Sequence, residues 1–256
     1  TADNWGSTAT PGENGNLYSA GVTNLLNDGG VFPATTGAFQ INYGGLYDIG
    51  ILKYDSAGQQ LLYASYLGGT ESESPHSLVM NSNEELIVLG TTSSSDFPTT
   101  TGAYDRTFNG GTVVAGVVVP YRKGSDIFVA RVNQAGTKLL SSTLLGGNGN
   151  DGMIPLYGEL EKNYGDQLRG DVITDAEDNV YISSVTSSLD FPTVNGLDNI
   201  YNGGPTDALV AKLNPDLTGL VWSTLIGGAG AEASLTIKFD KAGNILVGGG
   251  TTSFDF

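Results

Sequence analysis

Cysteine is absent from this chain, which excludes disulfides, thiolate nucleophiles and sulfur-ligated metals. The redox compartment stays open, because exported bacterial proteins also do without cysteine. Basic side chains are scarce: 11 Lys and Arg stand against 27 Asp and Glu, for a net charge of −16. Such a surface repels nucleic acid and anionic lipid, so neither is expected as a partner, and the acidity reads first as solubility. Histidine occurs once, as His76, too few for a zinc site built on two or three imidazoles. A packed structural role is the expected one for it. No apolar run approaches the roughly 18 residues of a membrane helix, so no membrane insertion is expected. The first residues, Thr1-Ala2-Asp3-Asn4, show neither a basic nor an apolar leader segment, so a removed leader or a longer parent chain is the expectation.

Glycine, by contrast, is abundant at 38 residues, and it recurs in order. Asp171-Val172-Ile173-Thr174, a polar turn over Asp175–Asp178, and a second strand over Asn179–Thr186 lead to Asp190-Phe191-Pro192. The same phrase returns at Ser77–Met80 and Leu86–Gly90 before Asp96-Phe97-Pro98. It returns again at Ala233–Phe239 and Ile245–Val247 before Phe254-Asp255-Phe256, and more loosely at Gly6–Gly21 before Phe32-Pro33. Between the copies, Asp48-Ile49-Gly50-Ile51 matches Asp126-Ile127-Phe128-Val129 and Asp207-Ala208-Leu209-Val210. Each is followed by a strand ending in Gly68-Gly69, Gly146-Gly147 or Gly227-Gly228. Several anchors recurring in one order define a repeat protein.

Each repeat reads as four strands, A to D, joined within A–B and C–D by short turns rich in Asp, Asn and Gly, which makes neighbours antiparallel. The expected fold is therefore all-β: a β-propeller of four-stranded meander blades, with a two-sheet sandwich as the alternative. Blades are placed at about 6–69, 76–147 and 170–228, with a half blade at 233–256 and insertions at 104–125 and 148–168. Continuously apolar B and C strands such as Leu86-Ile87-Val88-Leu89 suit burial on both faces, while the alternating Leu140-Ser141-Ser142-Thr143-Leu144 suits an outer edge. A meander puts the long B–C and D–A connections, including the Asp-Phe-Pro loops, at one end, where binding is expected.

The phrases Asp-x-x-Asp-Asn-Val-Tyr, Thr-Ser-Ser-x-Asp-Phe-Pro-Thr, Asp-Ala-Leu-Val-Ala-Lys-Leu-Asn and Leu-Ile-Gly-Gly over 175–228 resemble the seven-bladed β-propeller (SBBP-type) repeat of bacterial secreted and surface proteins. The resemblance covers nearly the whole chain, departing at Asn83-Glu84-Glu85, at Pro11-Gly12-Glu13-Asn14 and in the two insertions. It implies a setting outside the cell, as in gliding, surface-colonising Bacteroidetes that use type IX secretion, and it brings no catalytic residues. It also implies a short O-glycosylation acceptor at Asp55-Ser56-Ala57.

Asp96, Asp190 and Asp255 read as caps that satisfy turn amides while the following Phe fills space between blades. Gly146-Gly147-Asn148-Gly149-Asn150-Asp151 is the best candidate for calcium, with Asn148, Asn150 and Asp151 as oxygen ligands; Glu71 and Glu73 lie in the equivalent loop before it. Segment 156–170 offers Tyr157, Tyr164 and Arg169 for contact with a sugar or a protein, and a helical turn over the loop face. The leading expectation is a non-enzymatic adhesive or structural surface module with a protein or glycan partner. The alternatives are a hydrolase using two of Asp151, Glu159, Glu161 and Asp166, whose carboxyl groups would stand about 5–10 Å apart, and a calcium-stabilised scaffold. Three four-stranded units and a half also predict a partial ring, with Ile245-Leu246-Val247 on an open edge and the remaining blades supplied by more chain or by another chain.

Overall fold

The computed structural model describes residues 4–24, 32–115, 119–155, 158–161 and 166–256, with backbone alone at 4–7 and 166. Strands β1 (Asn4–Pro11), β2 (Leu17–Thr23), β3 (Asp48–Tyr54) and β4 (Leu61–Leu67) form one sheet in that order. Strands β5 (Glu73–Met80), β6 (Leu86–Thr92), β7 (Asp126–Val132) and β8 (Leu139–Leu145) form a second. A third comprises β9 (Asp171–Thr174), β10 (Val180–Thr186), β11 (Asp207–Leu213) and β12 (Leu220–Ile226). The last is a pair, β13 (Glu232–Phe239) and β14 (Ile245–Thr251). All named pairings are antiparallel. The chain is thus an all-β array of up-and-down meanders. The first strands lie side by side: β1 beside β5, β5 beside β9, and β9 beside β13.

Strand periodicity explains the core. Leu86 and Val88 of β6 pack with Ile49, Ile51 and Tyr63 of the first sheet, whereas Ile87 and Leu89 pack with Val172, Val180 and Leu209 of the third. Successive side chains point to opposite faces, so a strand covered on both sides must be apolar throughout. Phe97 stacks on Phe128 at 4.5 Å between centroids, and Phe191 is buried in the next core. Registers jump at the same place in the first strands of three sheets, between Gly6 and Thr8, Pro75 and Ser77, and Ser234 and Thr236. Pro75 is tolerated at such a bulge, and His76 is the extra residue there. Asp171 ties three sheets together, accepting from Ser77 Oγ at 2.8 Å and Thr236 Oγ1 at 2.9 Å.

Two expectations are refined. The last strand of each four-stranded sheet is not an open edge. The Asp-Phe-Pro loop, or in the first sheet the loop after Phe32-Pro33, leaves the loop face and runs down beside it, with Thr100 N donating to Ser142 O, Leu144 N to Asp105 O, Ser223 N to Val194 O and Tyr66 N to Gln40 O. These straps saturate edge groups that water would otherwise hold. The turn at Asn83-Glu84-Glu85, which lacks the Gly243 of its counterpart, keeps the same left-handed bend, with Glu84 at φ 57° against Gly243 at 84°. In the final pair, β14 bonds only β13 among the described strands, leaving Leu246 57% and Val247 38% exposed.

Phe128 is fully buried against Phe97, so Phe128→Ala should cost about 3–5 kcal/mol in urea unfolding. Leu246→Ala, on the exposed face of β14, should change stability by only about 0.5 kcal/mol.

Candidate functional site

The loop following each Gly-Gly pair leaves a row of backbone amides pointing away from any strand. The next repeat supplies their acceptors, one residue at a time. Gly69 N donates to Glu73 Oε2 at 3.1 Å, Thr70 N to Asp96 Oδ1 at 3.0 Å and Glu71 N to Ser94 Oγ at 2.8 Å. Gly147 N donates to Asp151 Oδ2, Asn148 N to Asp190 Oδ1 and Gly149 N to Ser188 Oγ, all at 2.8 Å, and Asn150 N to Ser187 Oγ. Gly228, Ala229, Gly230 and Ala231 repeat the set with Glu232, Asp255, Ser253 and Thr252. The sequence signature is Gly-Gly with an acid four residues after the second glycine, answered by Thr-x-Ser-x-Asp at the end of the following second strand.

A Thr hydroxyl locks each loop acid in place. Thr92 Oγ1 donates to Glu73 Oε1 at 2.6 Å, Thr186 Oγ1 to Asp151 Oδ1, and Thr251 Oγ1 to Glu232 Oε1 at 2.6 Å. Each acid also faces the Asp that opens the third strand of the preceding sheet. Asp48 accepts from Gly44 N and Gly45 N, Asp126 from Asn109 N and Gly110 N, and Asp207 from Asn202 N. The two carboxylates press on one glycine: a Cβ at Gly68 would stand 2.5 Å from Glu73 Oε2 and 2.8 Å from Asp48 Oδ1, and a Cβ at Gly146 2.8 Å from Asp151 Oδ2. That crowding explains the first glycine of each pair.

Burial dominates the chemistry of these acids. It pushes Asp48 up to about 6, Glu73 to about 8, Asp126 to about 7 and Asp151 to about 8, outweighing the amide and hydroxyl donors that pull them down. At Glu232 the balance reverses, and Ser253, Thr251 and the Gly228 amide hold it below the usual carboxylate range. His76 Nε2 lies 3.3 Å from Thr91 Oγ1, whose oxygen is 2.9 Å from Tyr121 Oη; burial pushes the imidazole down to about 3 and keeps it neutral.

The residues read as calcium ligands are not gathered around one point. Asp151 is fully buried on Gly147, Thr186 and Ser188, Asn148 bonds Asp190, and Asn150 divides between Ser125 N and Thr112 Oγ1. Among the described residues, no group of three His, Asp or Glu side chains is placed to hold a metal. Asp96 and Asp190 cap amides as expected, but those of the preceding sheet's loop rather than their own turn. Gly227 and Gly228 occupy the third copy of the loop, and Pro98 and Pro192 begin the straps. Tyr157 and Tyr164 lie outside the described residues. Arg169 is exposed, beyond a short 3-10 turn at Asp166–Leu168. Glu161 accepts from Gln167 Nε2.

The two insertions meet on the loop face. A groove of about 360 Å³ opens between them, lined by Thr112, Val113, Val114, Asn150, Met153 and Ile154 among others. Tyr121 and Met153 form a small core beneath with Val119 and Val22. The sequence marked both insertions and the loop face but not their meeting, because most of the groove wall comes from segments with no counterpart in the other repeats. No helix among the described residues is long and apolar enough to cross a membrane.

No protein-family model and no curated protein matches the chain. Among solved structures it is similar to a protein of unknown function from Dyadobacter fermentans DSM 18053, at 11% identity and a TM-score of 0.49. The match covers 98% of this chain, which spans 63% of that protein's length. A likeness at that level carries no argument about function.

Ser188 Oγ accepts from Gly149 N and donates to Asp151, so Ser188→Ala leaves a buried carboxylate and an amide short of partners. A loss of about 1–3 kcal/mol in urea unfolding is expected, against about 0.5 kcal/mol or less for Ser95→Ala on the exposed side of the equivalent turn.

Proposed function

We propose that this chain is part of a β-propeller of the SBBP-type repeat, acting outside the cell as a non-enzymatic adhesive or structural module whose loop face meets a protein or glycan. The propeller reading is supported by the meander order of every four-stranded sheet, the face-to-face cores between successive sheets and the adjacency of their first strands. In this reading further sheets, from more chain or from another chain, continue the ring beyond the exposed face of β14.

One observation carries the non-enzymatic reading. Among the described residues, the carboxylates that stand in pairs at the loop face, Asp48 with Glu73, Asp126 with Asp151 and Asp207 with Glu232, are buried and bonded to the framework, so they face no substrate. The catalytic pair of a glycosidase must flank a bond held in an open pocket. The dispersed negative charge supports an exposed, soluble setting. The groove between the insertions offers an apolar floor with amide and hydroxyl groups at its rim, a combination suited to neutral polar ligands such as peptide or sugar.

The test is an array of glycans and extracellular-matrix proteins probed with the intact chain. Val113→Asp and Ala115→Arg, both at exposed positions on the groove rim, should weaken capture at least about tenfold, equivalent to about 1.4 kcal/mol, without lowering the melting temperature. Turnover of chromogenic glycosides or esters by the same preparation, with no captured partner, would overturn the proposal.

A further inference from the structure

We propose that the buried acid pairs Asp48–Glu73 and Asp126–Asp151 each retain one proton rather than carry two charges, making the joint between neighbouring sheets a pH-sensitive clamp. Each pair bridges two sheets. Asp48 opens β3 of the first sheet, and Glu73 opens β5 of the second. Asp126 opens β7, while Asp151 precedes the third sheet and is bridged to Thr186 of β10. All four side chains belong to residues that are 0% exposed. Both members of a pair crowd the same glycine, Gly68 or Gly146.

Among the described residues, no Lys, Arg or His side chain bonds any of the four acids. The charged and titratable groups facing the first pair are Asp96, Tyr66 and Tyr121, and those facing the second are Asp105 and Tyr201. The nearby Lys123 is paired with Glu71 at 3.3 Å and is half-exposed. Two like charges crowding one glycine, removed from water and without a counter-ion among the described residues, do not both persist, and one retained proton per pair is the least costly remedy.

In the third copy Asp207 faces Glu232, and its Oδ1 is buried without a hydrogen-bond partner. In that copy Glu232 is held ionised by two hydroxyls and an amide. The uncapped oxygen is open to a proton in that copy, whereas Asp48 Oδ1 and Asp126 Oδ1 accept from Gly45 N and Gly110 N.

The sign of the pH effect follows from the direction of these shifts. A carboxyl whose folded pKa lies above its unfolded value stabilises most below the unfolded value, near 4, and that contribution is lost as pH rises through the folded values, about 6 to 8. Alkalinity, not acidity, should loosen the array.

The decisive measurements are the melting temperature of the intact chain from pH 5.5 to 8.5 and carboxyl ¹³C NMR over the same range. A fall of about 5 °C or more is expected on raising the pH, together with carboxyl resonances that titrate above pH 6. Glu73→Gln and Asp151→Asn remove one charge per pair, and their new amides can donate to Thr92 and Thr186. Together they should at least halve the fall and remove the high-pH resonances. A melting temperature that stays flat or rises, carboxyls that all titrate below pH 5, or a double variant that keeps the full fall would each overturn the proposal. Should the double variant not fold, the resonances of the unaltered protein decide.

Discussion

Each row of amides after a Gly-Gly pair must be satisfied, and no part of its own sheet can do it. An unpaired buried N–H costs about as much as a lost hydrogen bond, and the amides of Gly69, Gly147 and Gly228 are buried, so the loop depends on their acceptors. The acceptors come from the next repeat: a loop acid, a Ser and an Asp in fixed order. Joining one sheet to the next is thus a condition of forming the loop at all. The packing of Phe97 on Phe128, the glycine at Gly68 and the strap beside each fourth strand all follow from where that joint places the chain.

The joint carries a built-in tension. Its loop acids are ideal acceptors for amides and hydroxyls, yet they stand in the interior beside a second carboxylate. Burial favours their neutral forms, while the donors favour their charged forms. Glu232 shows the other resolution: where Ser253, Thr251 and Gly228 prevail over a smaller burial effect, the acid stays ionised. The same motif therefore sits on either side of a balance according to how much structure surrounds it.

Much of this was legible in the sequence. The strands, their antiparallel order and the two-sided burial of Leu86 to Leu89 follow from turn residues and a period of two, which are local properties. Asp48, Asp126 and Asp207 stood out as anchors, and so did the Gly-Gly pairs. What joined them did not. Glu73 and Asp151 looked like oxygen donors for a cation because their loops are polar, whereas their partners are amides in their own loop and hydroxyls about 20 to 35 residues on. The spacing of acid after Gly-Gly was there to be counted in all three copies. It was hidden because Glu and Asp alternate at that position. The straps were missed for a different reason: their bonds are made by the backbone of a Thr and Asp loop, which leaves no apolar trace.

The second insertion enters at a telling point. In two copies the first strand of the next sheet begins at the loop acid itself, Glu73 or Glu232, whereas after Asp151 the chain departs and returns to start β9 only at Asp171. The five-residue joint from Gly147 to Asp151 is complete before the detour begins. Length is therefore free to vary immediately after the acid and constrained just before it. An engineer wishing to display a foreign loop on this scaffold would cut there, immediately after Glu73 or Glu232, and leave the preceding glycines untouched.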